Sequence, residues 1–260
     1  MTSFHFSVCP HDTAKNVAGW FLLNTYLQRN LNCAIRFEPK DNFILERESV
    51  LTGKHQIVYA NPFSAAVFRN TLGYIPVAKP RGIFDEMVLV RGVDKTLPNQ
   101  GPIKVASATD KLFVHTLGLS LLEKQAVPLS DCEFQFVGTH LKAVQSVIQG
   151  NADLGFVYNE TWNELSDITR QALAVVSQTE SRQATHCFCV SPEWSDKVEQ
   201  IRDILCGMEN NPQSQRILDD LHFPAGFEPM EAGDLDPVLI QLKKRGVLAA
   251  TGGLELRTQE

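Results

Sequence analysis

Hydroxyl, amide and imidazole side chains recur at one kind of position in this chain: the short polar turn that joins an apolar run to a helical pattern. Ile103–Ala106 runs into Ser107-Ala108-Thr109-Asp110, Phe134–Val137 into Gly138-Thr139-His140, and Ile57–Tyr59 into Asn61-Pro62-Phe63-Ser64. A strand that feeds directly into a helix places small hydroxyls and backbone N–H groups at the helix start, and such ends attract anions. Several in one fold suit a grip on a small oxyanion. Ser107 and Thr109 stand ahead of a helix predicted from Leu112; they read as anion donors and equally as N-cap residues. Tyr59 reads as a phenol reaching a ligand or as a core tyrosine at a strand end. Thr139 and His140 open the next turn, and an imidazole donates to an anion whether neutral or charged. His11, in Cys9-Pro10-His11-Asp12, follows the first strand and reads as a ligand group or a capping-loop residue. Tyr158 and Asn159, followed by Glu160, are placed to meet the non-anionic end of a ligand, or Asn159 simply caps a helix. Asp110 suits the positive end of a helix, and Asp153 reads as a turn residue.

The elements that must hold these turns follow from periodicity. Phe4–Val8, Ala34–Pro39, Gln56–Tyr59, Tyr74–Ala78 and Asp85–Val90 read as strands. Ala14–Arg29, capped by Asp12 or Thr13, reads as a helix, as do Asn42–Leu51, which stops at Gly53, and Pro62–Asn70. The polar stretch Arg91–Pro102 reads as a crossing between lobes. A second series follows: strand Ile103–Ala106, helix Leu112–Lys124, strand Cys132–Val137, helix Leu141–Gln149 and strand Leu154–Tyr158. Leu173–Val176 and Thr185–Val190 read as strands returning to the first lobe, with helices over Ser195–Asn210 and Pro212–Leu221 upon it. Such alternation predicts an α/β fold of mixed sheets flanked by helices. It comprises a discontinuous first lobe (1–91 with 181–245), a second lobe (92–180), and a tail or linker from 246 to 260. Two crossings make a hinge, and a cleft between lobes is the expected ligand site.

Composition narrows the function. The 260 residues are 43% hydrophobic and 21% charged, with a net charge of −6. An acidic chain without a basic run is a poor nucleic-acid binder, since phosphate contacts need clustered Lys and Arg. No apolar stretch approaches the roughly 20 residues needed to cross a bilayer. Met1-Thr2-Ser3 leads straight into a strand pattern with no export signal, which implies a periplasmic site for a mature exported form and a cytoplasmic one if Met1 is the native start. The six cysteines contain no CxxC pair, so they read as free thiols and no metal site is assigned. In His186-Cys187-Phe188-Cys189 the two thiols share one strand face and the imidazole the other. Cys9, at the expected cleft mouth, is a soft donor but a lone one. No nucleophile elbow, Walker loop, HExxH or GxGxxG appears, so neither an enzymatic activity nor a cofactor is expected.

Three stretches carry a family resemblance. Ile57-Val58-Tyr59-Ala60-Asn61-Pro62-Phe63-Ser64 is similar to a strand-then-GPxxY turn. Val137-Gly138-Thr139-His140-Leu141 followed by Val147-Ile148-Gln149-Gly150-Asn151-Ala152-Asp153-Leu154-Gly155 is similar to a "GSH…V…G…DAA" unit. Gly226-Phe227-Glu228-Pro229-Met230 and Asp234-Leu235-Asp236-Pro237-Val238 resemble an "F…YDP" ending. Together they make the chain resemble, over about residues 4–245, the type II periplasmic solute-binding proteins, in particular the phosphate/phosphite/phosphonate-binding branch of ABC transporters. The resemblance implies a two-lobed, non-catalytic protein that closes on a small oxyanion or organophosphonate and delivers it to an ABC permease. It implies ligand contacts at Tyr59, Asn61, Ser107, Thr109, Asp110, Thr139, His140, Tyr158 and Asn159, to which the place of His11 after the first strand adds one more. The departures are an acid and no glycine in Ser107-Ala108-Thr109-Asp110-Lys111, and Asn61 where the family often has Gly. Alternatives on the same fold are a sensory domain working with a sensor kinase and, further off, a small-molecule transferase.

Overall fold

The computed structural model describes residues 4–98 and 101–248. The chain divides into two units, one holding residues up to Ile83 and again from Thr185, the other Phe84–Ala184. The crossings therefore fall at Ile83/Phe84 and Ala184/Thr185, rather than near 91 and 181. The stretch predicted as a crossing, Arg91–Pro102, instead links two strands inside the second unit, where Val93 N donates to Ala172 O at 3.1 Å. The predicted tail lies outside the described residues from 249 onward.

The first unit is built on a six-stranded sheet of β1 (Phe4–Val8), β2 (Ile35–Phe37), β3 (Ile57–Ala60), β4 (Ile75–Pro80), β10 (Cys187–Val190) and β11 (Phe227–Pro229), in the order β11-β4-β10-β3-β1-β2. β1 pairs in parallel with β2 and β3, and β10 runs antiparallel to both β3 and β4. Every residue of β3 and β10 is buried, which is the signature of interior strands covered on both faces. The helices are α1 (Pro10–Leu31), α2 (Phe43–Leu51), α3 (Pro62–Leu72), and, after the return, α8 (Val198–Cys206), α9 (Pro212–Asp220) and α10 (Asp236–Lys244).

α1 begins at Pro10 with Cys9 as its N-cap, so neither Asp12 nor Thr13 caps it. The backbone breaks at Asn16 (φ −154°, ψ 79°). Its side chain restarts the helix by accepting from Gly19 N at 2.9 Å, and donates to Asp220 O at the end of α9 at 2.8 Å. At Gly19 a Cβ would stand 2.8 Å from Leu221 Cδ2, so the two segments approach only because that side chain is missing. The core is aromatic: Trp20, Phe188 and Phe223 surround Tyr59 with ring centroids 4.8, 4.7 and 5.9 Å away. Each such ring buries a large apolar area, and tilted pairs add stabilisation beyond it.

The second unit carries β5 (Met87–Gly92), β6 (Ile103–Ser107), β7 (Cys132–Phe136), β8 (Leu154–Tyr158) and β9 (Leu173–Gln178) in the order β7-β6-β8-β5-β9. β6 is parallel to β7 and β8, while β5 is antiparallel to β8 and β9. Those pairings place β5 here, although the sequence reading gives it to the first lobe, and keep β9 here, although that reading has the strand already returning; non-local register, not strand propensity, decides which sheet they join. α4 (Phe113–Lys124), α5 (His140–Ile148), α6 (Asn159–Glu164) and α7 (Asp167–Gln171) complete the unit. α4 lies close on β8 because residue 118 is glycine: a Cβ there would meet the Phe156 ring at 2.4 Å. At the end of the unit where the chain enters and leaves, Asp85 N donates to Ala184 O at 2.8 Å, and the Glu86 carboxylate accepts from Arg182 N at 2.6 Å.

Candidate functional site

In the second unit the three parallel strands β6, β7 and β8 end at the same edge of the sheet, the position where open α/β sheets bind ligands. Seven of the predicted site residues sit in the turns there. The 107–111 turn and the 137–140 turn are tied directly together, Val137 N donating to Ser107 O at 2.9 Å and Gly138 N to Ala108 O at 2.8 Å. His140 and Tyr158 bring their rings to 5.9 Å.

The hydroxyls have local duties. Ser107 Oγ shares a hydrogen bond of 3.1 Å with His115 Nδ1. Thr109 Oγ1 accepts from Lys111 N and donates to the exposed Asp110 carboxylate, both at 3.2 Å. Thr139 caps α5, accepting from Lys142 N at 3.1 Å. His140, buried on the first turn of α5, directs Nδ1 at the Phe156 carbonyl 3.5 Å away. Tyr158 closes β8 and is 4% exposed. Asn159 is a clamp: its Oδ1 accepts from Glu86 N at 3.0 Å and its Nδ2 donates to Phe84 O at 3.1 Å.

The start of α4 differs from the sequence expectation. Ser107 and Thr109 do not cap it; the N-cap is Leu112, which makes no side-chain cap hydrogen bond. Elsewhere α2, α3, α5, α7 and α9 are capped by Asn42, Asn61, Thr139, Ser166 and Asn211. A leucine side chain has no acceptor, so the first-turn amides of α4 receive nothing from it, and the positive end of the helix dipole faces the hydroxyl-bearing turn.

In the first unit, His11, Tyr59 and Asn61 also meet at one sheet edge, that of β1 and β3. Cys9 N donates to Tyr59 O at 2.8 Å, and Asn61 Nδ2 to Cys9 Sγ at 3.7 Å. Asn61 also caps α3, accepting from Ser64 N at 2.9 Å. Tyr59 is only 1% exposed, its ring packed in the aromatic core. His11 is half-buried on the first turn of α1.

Sequence reasoning missed His115 and Glu46, and for His186, which it weighed only with Cys187 and Cys189, it missed the partners. His115 braces Ser107 from an apolar helix face, among Phe134, Phe136 and Phe156; eight residues separate the pair, and no motif announces it. His186 reaches Cys9 and Asp12 from a segment distant in sequence, its Nε2 3.4 Å from Asp12 Oδ2. Burial raises the Cys9 thiol pKa, against the pull of its hydrogen bond to His186. Glu46, on α2, is fully buried with both carboxylate oxygens unbonded. Burial pushes its pKa up to about 7, against the pull of Arg47 and His186.

Two units, each a mixed sheet flanked by helices and linked by two chain crossings, define the periplasmic-binding-protein-like type II fold. The chain belongs to the family described as ABC transporter, phosphonate, periplasmic substrate-binding protein, which it matches over residues 6–235. Among solved structures it is similar to PhnD1 from Prochlorococcus marinus (MIT 9301) in complex with methylphosphonate (TM-score 0.79, 14% identity, covering 95% of this chain and 99% of that one). It is also similar to a binding protein component of an ABC phosphonate transporter from Pseudomonas aeruginosa (TM-score 0.75, 13% identity, 94% and 86% covered). A third likeness is to the periplasmic aliphatic sulphonate binding protein SsuA from Escherichia coli (TM-score 0.67, 11% identity, 97% and 95% covered). At these identities the structural likenesses establish the fold. No curated protein matches the sequence significantly. The family is one of transport-linked binding proteins rather than enzymes, and among the described residues no helix is long and apolar enough to cross a membrane.

Proposed function

We propose that this chain is a non-catalytic binding protein that holds a small tetrahedral oxyanion, phosphate, phosphite or a phosphonate, for uptake through an ABC permease. One observation carries the reading: the 12-residue helix α4 starts without a side-chain cap behind a turn that offers Ser107, Thr109 and Lys111, and that turn is bonded to the one bearing Thr139 and His140. Backbone amides and hydroxyls of this kind satisfy anionic oxygens without a full counter-charge. Family membership supports the phosphorus class, and methylphosphonate in the Prochlorococcus neighbour is a concrete first ligand to try. In this reading Ser107, Thr109, Thr139 and His140 face the anion. Tyr158 and Asn159 shape the far side, and Asp110 accepts from a ligand proton or amine. In the first unit His11 and Asn61 keep the polar groups expected of a ligand contact, whereas the Tyr59 ring is taken up by the aromatic core.

Isothermal calorimetry against phosphate, phosphite, methylphosphonate, aminoethylphosphonate and methanesulfonate tests it. A one-site isotherm for at least one phosphorus oxyanion is expected, with Thr109→Val weakening it roughly 10- to 100-fold, the worth of a hydrogen bond to a charged group. Absence of heat and of any melting shift for every phosphorus ligand overturns the proposal; binding of methanesulfonate alone moves the chain to the sulfonate class.

A further inference from the structure

We propose that Cys9, Asp12 and His186 form a site for a soft divalent metal ion of the zinc class, with three protein ligands and one position left for water or another small ligand. The site belongs to the first unit alone and does not depend on the oxyanion reading. Cys9 Sγ, a carboxylate oxygen of Asp12 and a ring nitrogen of His186 all lie within 4.8 Å of one another. A tetrahedral zinc ion with ordinary bond lengths sets its donors about 3.3–3.8 Å apart. The Asp12 Oδ2 to His186 Nε2 separation, 3.4 Å, already has that value, so loading the site asks only for a modest movement toward the thiol.

The donors are delivered by backbone, not by floppy side chains. Cys9 is the N-cap of α1, and Asp12 lies three residues on, in the same first turn, where Asp12 N donates to Cys9 O at 3.0 Å. His186 precedes β10, whose register sets Cys187 opposite Ala60. Outer contacts hold the set. The Tyr59 ring stacks on His186 at 5.8 Å and 28°, and the Asn61 amide donates to the sulfur. Metal sites depend on such second-layer contacts for ligand orientation.

Two features separate this cluster from an ordinary buried thiol. A structural free cysteine packs among apolar groups, whereas Cys9 faces an imidazole, a carboxylate and a carboxamide. Asp12 is nine-tenths buried, and its Oδ2 meets the His186 ring nitrogen at 3.4 Å without completing a hydrogen bond, which leaves a buried acceptor under-satisfied. A cation at the centre would take its lone pair. Cys9 is wholly buried, and Asp12 Oδ2 and His186 Nε2 are buried as well, so loading the site requires a local opening of the structure around it. On binding, the Cys9 S–H bond gives way to a sulfur–metal bond and the proton leaves to solvent. A thiolate and a carboxylate then neutralise the divalent charge, and the α1 N-terminus favours the thiolate.

The full-length chain, stripped with EDTA, is titrated with Co²⁺ as a spectroscopic stand-in for Zn²⁺. One equivalent is expected to give a thiolate-to-cobalt charge-transfer band and intense visible bands of tetrahedral cobalt, both erased by Zn²⁺. At a hundredfold excess over Kd, Zn²⁺ should raise the Tm by about 5 °C or more. Cys9→Ser should abolish the charge-transfer band, and Asp12→Asn and His186→Gln should each weaken Zn²⁺ at least tenfold in chelator competition, whereas Cys189→Ala should leave both readings unchanged. No charge-transfer band in the parent chain, or a band that survives in Cys9→Ser, overturns the site. Should Cys9→Ser lose its native circular dichroism, the Asp12→Asn and His186→Gln affinities decide, and unchanged Zn²⁺ binding in both refutes it.

Discussion

Replacing Glu46 by Gln should stabilise this protein, and by an amount that grows with pH. Glu46 is wholly buried, its two oxygens accept no hydrogen bond, and burial holds its pKa at about 7 against the pull of Arg47 and His186. A carboxyl group whose folded value lies above its unfolded one favours the folded state while protonated, and that advantage is lost as pH rises from the unfolded value through the folded one. The rise from 4.5 to about 7, at about 1.36 kcal/mol per pH unit, is worth roughly 3 kcal/mol. Gln is neutral at every pH and close to isosteric with the protonated acid. Glu46→Gln should therefore match the parent at pH 4 and exceed it by about 3 kcal/mol at pH 8, a Tm gain of about 6 °C or more for a chain of this size. Urea melts of the EDTA-treated pair at pH 4, 6 and 8 read the difference directly. A gap that does not change with pH, or a variant less stable at pH 8, would refute the assignment of a strained, buried carboxylate.

His55 supplies a slope of opposite sign. Burial brings its pKa down to about 4 in spite of the neighbouring Glu38 carboxylate, so the unfolded chain takes up the proton first and stability is lost as pH falls from 6.5 toward 4, by roughly 3 kcal/mol. Between pH 4.5 and 6.5 the two slopes nearly cancel in the parent, and Glu46→Gln should expose the acid loss that His55→Gln removes, as denaturation midpoints across that range will check. Gly118→Ala pushes a methyl against the Phe156 ring at 2.4 Å and should cost about 1–3 kcal/mol by urea denaturation; a cost below about 0.5 kcal/mol would mean that α4 moves freely on β8. Asn159→Ala removes the acceptor for Glu86 N and the donor to Phe84 O and should lower stability by roughly 2 kcal/mol, with faster amide exchange at Glu86; unchanged exchange would contradict the clamp.

The rhythm of strand, polar turn and helix was legible because it is local. Alternation and buried runs mark β1, β3, β8 and β10, Asn42 and Asn61 cap where their types say they should, and the ordered turns sufficed for the family. Local rules also mark their own limits. A polar segment with Gly and Pro reads as a crossing wherever it falls, and Arg91–Pro102 differs from one only because β5 finds its partners in β8 and β9. A hydroxyl before a helix reads as a cap, yet the helix after Ser107 waits until Leu112.

Residue types and short-range periodicity thus determined which segments form strands and helices, and that hydroxyls, amides and imidazoles gather in the turns between them. Tertiary structure alone decided their company. Tyr59 turned into an aromatic core because Trp20, Phe188 and Phe223 arrive there from distant segments. Ser107 acquired His115, and Cys9 and Asp12 acquired an imidazole from residue 186. Backbone preference acts over a few residues, whereas pairing register and side-chain packing act across the whole chain, and only the latter bring such groups within bonding distance.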